Sequence, residues 1–201
     1  MTSCYISVDI EAAGPVPSLF SMLSLGACVV GNRQEQFYRE LKPVSRTFNI
    51  DAMRVGSLGL HCLDSLKSVA EYDPHHEQFS PGRVLDVLAA TGKDPQLAMA
   101  DFRDWLSDAA GGKSPVMVTD VQPFDGSFVN WYFARFLPDV QNPFGHKGLN
   151  IDVLYHGLCG DVNARLKKLV PDDRKTPHNA LDDALYQARL TEEVFSYMRR
   201  T

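Results

Sequence analysis

Three β-prone segments follow one another at the amino end of the chain, before any long helical pattern begins. Residues 4–10 (CYISVDI) are apolar and β-rich, which predicts a buried first strand. Residues 21–31 (SMLSLGACVVG) predict a second strand, and residues 34–42 (QEQFYRELK) predict a third. Gly31 and Asn32 stand between the last two, and such a pair is typical of a hairpin turn. The sequence therefore predicts three consecutive strands, the last two joined as a hairpin.

Strand and helix patterns alternate in the rest of the chain. Helical periodicity covers residues 96–109, 124–137 and about 178–199. Residues 115–120 (PVMVTD) predict a short strand, and residues 149–158 (LNIDVLYHGL) begin as a strand. Three strands followed by this alternation predict an α/β fold with a mixed β-sheet flanked by α-helices.

The middle of the chain has the weakest pattern. We expect residues 1–201 to form a single domain, because 201 residues are enough to bury a sizeable core. Residues 56–95 lack sustained periodicity and predict an insertion of loops and short helices. His75 and His76 lie within it, and we interpret them as a solvated loop because no cysteine or further histidine stands at metal-ligand spacing.

Charge and composition exclude several classes of function. A net charge of −5 and a pI near 5.6 argue against broad binding of long duplex nucleic acid, but they allow a short end held in a local pocket with cations. No apolar run approaches the ~20 residues that span a bilayer, and the first residues do not resemble a signal peptide. Four scattered cysteines without a CxxC pair predict reduced thiols and a cytoplasmic location.

Two carboxylates stand at the end of the predicted first strand. Asp9 and Glu11 point to one face at the two-residue period of a strand, while Ile10 points to the other. Two neighbouring acids repel each other unless a positive charge lies between them, and a divalent cation meets that need. The alternative is a strand that ends in a polar loop, and D-x-E alone does not decide between the two.

Further acids stand at the ends of later elements. Asp125 begins the aromatic-rich helix, where a carboxylate is also favoured by the helix dipole alone. Asp120 competes with it as the acid at a strand end. Asp152 lies in an apolar strand setting, and we interpret it as structural.

A histidine and two adjacent acids stand at the head of the last predicted helix. Pro177 fits a helix start, and a first-turn acid suits the helix dipole. That account explains Asp182 or Asp183 but does not explain His178. The helical pattern alone leaves open which of the two acids has a function.

Three motifs in order resemble those of the DEDD exonuclease superfamily: SVDIEAAG, PFDGSFVNWYF and PHNALDDALYQA. The histidine in the third motif places the resemblance in the DEDDh subgroup, with ribonuclease T, oligoribonuclease and proofreading exonucleases. The resemblance spans nearly the whole chain. It implies a ribonuclease H-like mixed sheet whose first three strands are antiparallel. It also implies 3′-5′ exonuclease activity that releases nucleoside 5′-monophosphates from the 3′ end of single-stranded nucleic acid.

The resemblance also assigns roles to the site residues. It implies that the four acids are Asp9, Glu11, Asp125 and Asp183, and that the general base is His178. The acids would hold two Mg²⁺ or Mn²⁺ ions about 3.5–4 Å apart. The base would take a proton from the attacking water, since histidine has an unperturbed pKa of about 6.5. The family spacing H-x-A-x-x-D favours the second of the two adjacent acids and leaves Asp182 as a first-turn helix carboxylate.

The chain departs from the family pattern at substrate-contacting positions. Val121 stands where relatives usually have a polar residue, and Ala12, Ala13 and Gly14 stand where many have Thr-Thr-Gly. These departures leave the acids intact but leave the substrate open. Side chains that could contact the terminal nucleotide lie close to the motifs: Ala12, Leu19, Phe20 and Phe124.

Several readings remain open on the sequence alone. One is a phosphoesterase acting on very short oligonucleotides, and another is a catalytically quiet nucleic-acid-binding module of the same fold. A structural α/β domain with coincidental acids is the third. The sequence does not choose between RNA and DNA, because it does not show which group would contact a 2′-hydroxyl. The resemblance also allows a homodimer.

Overall fold

The five strands form one mixed sheet in the order β3-β2-β1-β4-β5. The computed structural model describes residues 2–199. The strands are β1 (Ser3–Ala12), β2 (Met22–Val29), β3 (Asn32–Glu40), β4 (Ser114–Thr119) and β5 (Gly148–Asn150). The first three strands pair antiparallel, whereas β4 and β5 join parallel to β1 and to each other. This topology confirms the mixed sheet with three antiparallel strands.

Within residues 2–199, six α-helices accompany the sheet. They are α1 (Ile50–Gly56), α2 (Pro81–Thr91), α3 (Pro95–Ala110), α4 (Gln122–Phe136), α5 (Ile151–Cys159) and α6 (Ala180–Met198). Two single turns of 3₁₀-helix lie at His61–Leu63 and Leu166–Lys168. None of the described helices has the length and apolarity that crossing a bilayer requires.

The central strand β1 has two different faces because its side chains alternate. Ile6, Val8 and Ile10 are buried in the main apolar cluster, together with residues of α3 and α4. Ser7 lies on the opposite face, where its hydroxyl donates to the carbonyl oxygen of Ala184 in α6 at 2.7 Å. Asp9 and Glu11 follow Ser7 at the two-residue period and therefore lie towards α6.

The start of α6 lies directly on the sheet because β2 has a glycine at that point. Gly26 pairs with Asp9 in the sheet register. A Cβ atom at Gly26 would lie 2.2–2.3 Å from the backbone of Ala180 and Leu181, so no larger residue fits without displacing the helix. The glycine therefore brings the first turn of α6 over the acidic end of β1.

The middle segment, residues 56–95, is more regular than its sequence pattern indicates. It contains a 3₁₀ turn and the 11-residue helix α2. Its apolar side chains pack in a second cluster with Ala13 and Leu23, which lie outside the segment. His75 and His76 are exposed, as expected for a solvated loop.

Two predicted elements differ from the structure in their extent. The last helix begins at Ala180 rather than near residue 178, because the side chain of Asn179 caps it and His178 has a left-handed backbone with φ 62°. Residues 149–158 begin as a strand, as predicted, since β5 covers Gly148–Asn150, but they are helical from Ile151 onward, because Asn150 caps α5 by accepting from the N–H of Val153 at 2.8 Å. Asp152 consequently lies in the first turn of a helix and not in a strand.

Candidate active site

A cavity of about 230 Å³ lies where β1 and β4 end and α6 begins. The five residues that the motifs single out all line it: Asp9, Glu11, Asp125, His178 and Asp183. They come from β1, from the first turn of α4, and from the start of α6 and the residues before it. The carboxyl ends of parallel strands are where open α/β sheets bind ligands, so the location fits a functional site.

The acids of this cavity are buried close together, so their ionised forms repel one another. Glu11 is 8% exposed and Asp125 is 3% exposed. Burial raises the pKa of Asp9 and of Glu11 well above the usual range, and the other carboxylates of the cavity raise both pKa values further. Burial, and then the nearby Asp120, raise the pKa of Asp125 to about 8, although its Oδ1 accepts from the N–H of Ile10 at 3.3 Å.

One partly buried guanidinium, that of Arg174, offsets part of this repulsion. Nη1 of Arg174 donates to Oδ1 of Asp183 at 2.8 Å, and Nη2 lies 2.5 Å from Oδ2 of Asp172. The guanidinium carbon also lies 5.1 Å from the ring centre of Tyr186. Burial raises the pKa of Asp183, and the hydrogen bond from Arg174 opposes that rise. Arg174 lies in an irregular segment outside the three motifs, and no sequence signal marks it.

His178 lies at the solvent side of the acids. Its Nδ1 is 3.9 Å from Oε1 of Glu11, and its side chain is 44% exposed. Its backbone N–H donates to Oδ2 of Asp183 at 3.1 Å. Ligand atoms of Glu11, His178 and Asp183 all lie within 4.8 Å of one another, a spacing that would suit a shared cation.

The two adjacent acids at the start of α6 point to different places. Asp183 lines the cavity with the other acids. Asp182 instead accepts from the N–H of Thr176 at 2.9 Å and lines a separate cavity of about 680 Å³, with Arg33 and Arg189. The hydrogen bond to Thr176 gives Asp182 a local structural role at the entrance to the helix.

Gln187 fixes the elements that carry the acids, and sequence reasoning did not select it. Its side chain is 4% exposed. Its Nε2 donates to Oγ of Ser7 at 2.8 Å and to the carbonyl of Val118 at 2.8 Å, while its Oε1 accepts from the N–H of Asp120 at 2.6 Å. The sequence signal that could have identified Gln187 is its position as a polar residue among the buried apolar residues of α6.

A second, more apolar pocket of about 500 Å³ adjoins the acids. Glu11 and Phe124 line both this pocket and the acid cavity, and Ala12 lines the apolar pocket. Two further predicted contacts lie elsewhere. Leu19 is 52% exposed, and Phe20 packs against the second apolar cluster. The structure brings Ala12 and Phe124 to the site but does not bring the other two there.

The donor set fits hard divalent cations. The four motif carboxylates, a fifth from Asp120 and one imidazole line the cavity, and none of the four cysteines does. The raised pKa values of the buried carboxylates show that nearby positive charge does not stabilise their ionised forms, and a bound divalent ion would supply that charge. Oxygen ligands favour Mg²⁺ or Mn²⁺ over soft metals.

Comparison with known proteins supports this reading of the motifs. No model of a known protein family matches the chain. A curated protein from Escherichia coli, the 3′-5′ DNA exonuclease Cap18, is 33% identical over 192 residues, which cover 92% of this chain and 88% of that protein.

Solved structures share the fold at low sequence identity. E. coli exonuclease I in complex with a dA16 oligonucleotide superposes with a TM-score of 0.66 and 13% identity, covering 99% of this chain but 42% of that one. A full-length 3′-exonuclease superposes with a TM-score of 0.62 and 18% identity, covering 96% of this chain and 81% of the other. This chain therefore spans about two fifths of exonuclease I. The ordered motifs, the mixed sheet and the 33% identical relative together show that the chain belongs to the 3′-5′ exonucleases of the DEDD superfamily.

Proposed function

We propose that this protein is a metal-dependent 3′-5′ exonuclease that removes nucleoside 5′-monophosphates from single-stranded DNA. The observation that carries the proposal is the cavity in which the four motif acids and a histidine, from separate parts of the chain, lie together. The choice of DNA over RNA rests on the name of the relative, a DNA exonuclease. The net charge of −5 agrees with an enzyme that holds a strand end locally rather than a long duplex.

In this proposal the four carboxylates hold two divalent cations, Mg²⁺ or Mn²⁺. When bound, the ions neutralise phosphate charge and lower the pKa of water. The residues that hold them are Asp9, Glu11, Asp125 and Asp183. Their burial and mutual repulsion make the acids ready to accept positive charge, since each carboxylate is costly to ionise without it.

His178 takes the proton of the attacking water in this proposal. Its ring lies beside Glu11 and Asp183, so a water between the imidazole and these acids is within reach of a ring nitrogen. Because 44% of the side chain is exposed, the imidazole can pass that proton on to solvent.

Two cations on the wall of the cavity supply the charge that a phosphate needs. Lys167 and Arg174 both line it. Nζ of Lys167 lies 3.3 Å from Oδ2 of Asp120, and this side chain is 58% exposed, so it can reorient towards a bound strand. Arg174 is held more firmly by its two carboxylate partners and offers fixed donors at the cavity edge.

The adjoining apolar pocket is the proposed place of the terminal nucleoside. Its volume of about 500 Å³ is within the usual range for small-ligand pockets. Ala12 and Val55 offer apolar walls, and the ring of Phe124 offers a surface on which a base can stack. Phe124 also lines the acid cavity, so a nucleoside in this pocket would have its phosphate beside the acids.

A labelled-strand assay tests the proposal. Purified protein is incubated with single-stranded DNA or RNA carrying a label at the 3′ or the 5′ end, with Mg²⁺, Mn²⁺ or EDTA. We expect 3′-labelled DNA to release labelled mononucleotide in Mg²⁺ or Mn²⁺ and none in EDTA. Asp9→Asn, purified in parallel, controls for contaminating nuclease. Activity in excess EDTA contradicts the two-ion mechanism. Faster cleavage of RNA than of DNA contradicts the proposal that DNA is the substrate. If no strand is cleaved, the result supports the alternative of a catalytically quiet binding module.

We propose two further properties, a cytoplasmic location and a homodimer. Free thiols at all four cysteines fit the reducing cytoplasm. A homodimer stays a prediction, which light scattering of the purified protein tests directly.

A further inference from the structure

The start of α6 depends on one buried side chain, Asn179, which is 3% exposed. Its Oδ1 accepts from the backbone N–H groups of Leu181 and Asp182 at 3.0 and 3.2 Å, which caps the helix. Its Nδ2 donates to the carbonyl oxygen of Gly59 at 2.7 Å and lies 3.2 Å from Nε2 of His61. A cap needs only the first pair of contacts, so the second pair serves another purpose.

The second pair of contacts joins α6 to the middle segment at close range. Gly59 is buried, and a Cβ atom there would lie 2.3 Å from the carbonyl oxygen of His178 and 2.5 Å from Cα of Asn179. The two backbones therefore touch, and any larger residue at position 59 would push against residue 178. The contact between Asn179 and His61 constrains the two segments less than the contact with Gly59, because the side chain of His61 is exposed.

The middle segment is itself anchored to the sheet beside this contact. Glu40, the last residue of β3, accepts from the backbone N–H groups of His61 and Cys62. The hydroxyl of Tyr38 donates to the same carboxylate at 2.7 Å. The surface that meets Asn179 is thus tied to the edge of the sheet and does not move as a free loop.

The residue between these contacts has an unusual backbone. His178 has φ 62°, a left-handed conformation that non-glycine residues adopt only where the surroundings impose it. The carbonyl of His178 packs on Gly59, its N–H is bonded to Asp183, and the next residue is clamped through its side chain. These contacts fix the direction in which the imidazole leaves the chain.

We propose that Asn179 and Gly59 form a clamp that positions His178 for proton transfer, so that the middle segment is part of the catalytic machinery. The inference rests on the proposed function, in which His178 is the general base. Asn179 is a positioning residue, because its side chain contacts backbone and His61 and does not reach the reacting atoms. A small displacement of a catalytic group can cost about 10²-fold in rate.

Two substitutions separate the clamp from the helix cap. Asn179→Ser keeps a hydroxyl that can cap α6 but loses the donor to Gly59. Gly59→Ala keeps Asn179 and pushes on His178. For both variants we expect kcat to fall about 10- to 100-fold, with KM for the oligonucleotide and the affinity for Mg²⁺ changed less than about twofold. Gly157→Ala in α5 is the matched control, because its Cβ would meet nothing within 4 Å, and it should retain the wild-type rate.

A double-substitution cycle tests whether the clamp acts through the histidine. In a His178→Ala background, measured in single-turnover reactions with excess enzyme, Asn179→Ser and Gly59→Ala should cause no further loss. Full additive losses, or a loss of Mg²⁺ affinity equal to the loss of rate, would overturn the proposal. If His178→Ala alone keeps the wild-type rate, the proposed function fails instead, whatever the clamp variants do.

A spectroscopic readout completes the test without substrate. Long-range ¹H–¹⁵N spectra of metal-free protein report each imidazole, and His178→Ala identifies the signal of His178. We expect both clamp variants to shift that signal and Gly157→Ala to leave it in place. An unchanged His178 signal in both clamp variants shows that Asn179 only caps the helix.

Discussion

The Nη1 atom of Arg174 lies 2.8 Å from Oδ1 of Asp183, at the edge of a cavity that holds four further carboxylates. The same guanidinium bonds Asp172, whose pKa it lowers to about 2. Asp172 therefore stays ionised and holds Arg174 in place even when Asp183 turns to another cation. This arrangement lets Asp183 accept an ion without losing the nearby positive charge that a phosphate would meet.

Arg174 is the first residue to test on this basis. Arg174→Ala should lower kcat/KM about 10- to 100-fold, because residues that hold a metal-binding carboxylate from behind typically have effects of that size. Arg174→Lys should recover part of the rate, since an ammonium keeps the charge but cannot bridge Asp172 and Asp183 as a fork does. Arg33→Ala removes an exposed ion pair with Glu192 and serves as control. Equal activity of Arg174→Ala and Arg33→Ala contradicts the role.

The acids of β1 should be indispensable for turnover and costly for stability. Asp9→Asn and Glu11→Gln should each abolish detectable turnover with the fold intact, because each removes charge from the proposed ion site. In EDTA the same variants should melt at a higher temperature than the wild type, because burial and carboxylate repulsion are relieved. Circular dichroism melts and the labelled-strand assay measure the two effects. A double variant that cleaves at the wild-type rate shows that these acids are not the site.

The sequence predicts the parts of the fold that carry periodic patterns. The alternation in β1 places Asp9 and Glu11 on one face, and the structure has them on the α6 side of the sheet. Boundaries set by single side chains were missed. Asn179 and Asn150 each end an extended segment by capping the next helix, and the sequence alone does not show which asparagines act as helix caps.

The site was predictable only where motifs mark it. Arg174 and Gln187 are held by contacts with residues far away or in irregular backbone, such as the bonds of Gln187 to Ser7 and Val118. Gly59 was hidden in a segment without periodicity, because its role is a close backbone approach across 119 residues of chain (178 − 59). Such tertiary contacts leave no local pattern to read.

The pKa of Asp125 predicts how stability of the metal-free protein depends on pH. Its pKa is about 8 in the folded protein and about 3.9 in an unfolded chain, so the folded state holds the proton more tightly. The stabilisation is fully present below pH ~4 and is lost as the pH rises through about 8. Asp125→Asn stays neutral and still offers Oδ1 to the N–H of Ile10. In EDTA, its melting temperature minus that of wild type should increase between pH 5 and pH 8 by at least ~3 °C.

The exposed pair of Asp104 and Arg103 supplies the control for this pH series. Asp104→Asn should show no such trend in its difference from wild type. Saturating Mg²⁺ should reduce the trend for Asp125→Asn, since a bound ion favours the ionised carboxylate of the wild type. A difference that stays flat from pH 5 to pH 8 contradicts the raised pKa of Asp125.

The three polar residues at the head of α6 should respond to substitution in three different ways. His178→Ala should cost about 10²–10⁴ in kcat with Mg²⁺ affinity retained, because the proposed base moves a proton while the carboxylates hold the ions. Asp183→Asn should lose Mg²⁺ binding and activity together. Asp182→Asn should do little, since its Oδ2 accepts from Thr176 outside the cavity. Calorimetric titration with Mg²⁺ and single-turnover rates separate these cases.

If Asp182 proves essential and Asp183 dispensable, the third motif is misaligned. If His178→Ala unfolds the protein while the folded fraction keeps its rate, the histidine is structural.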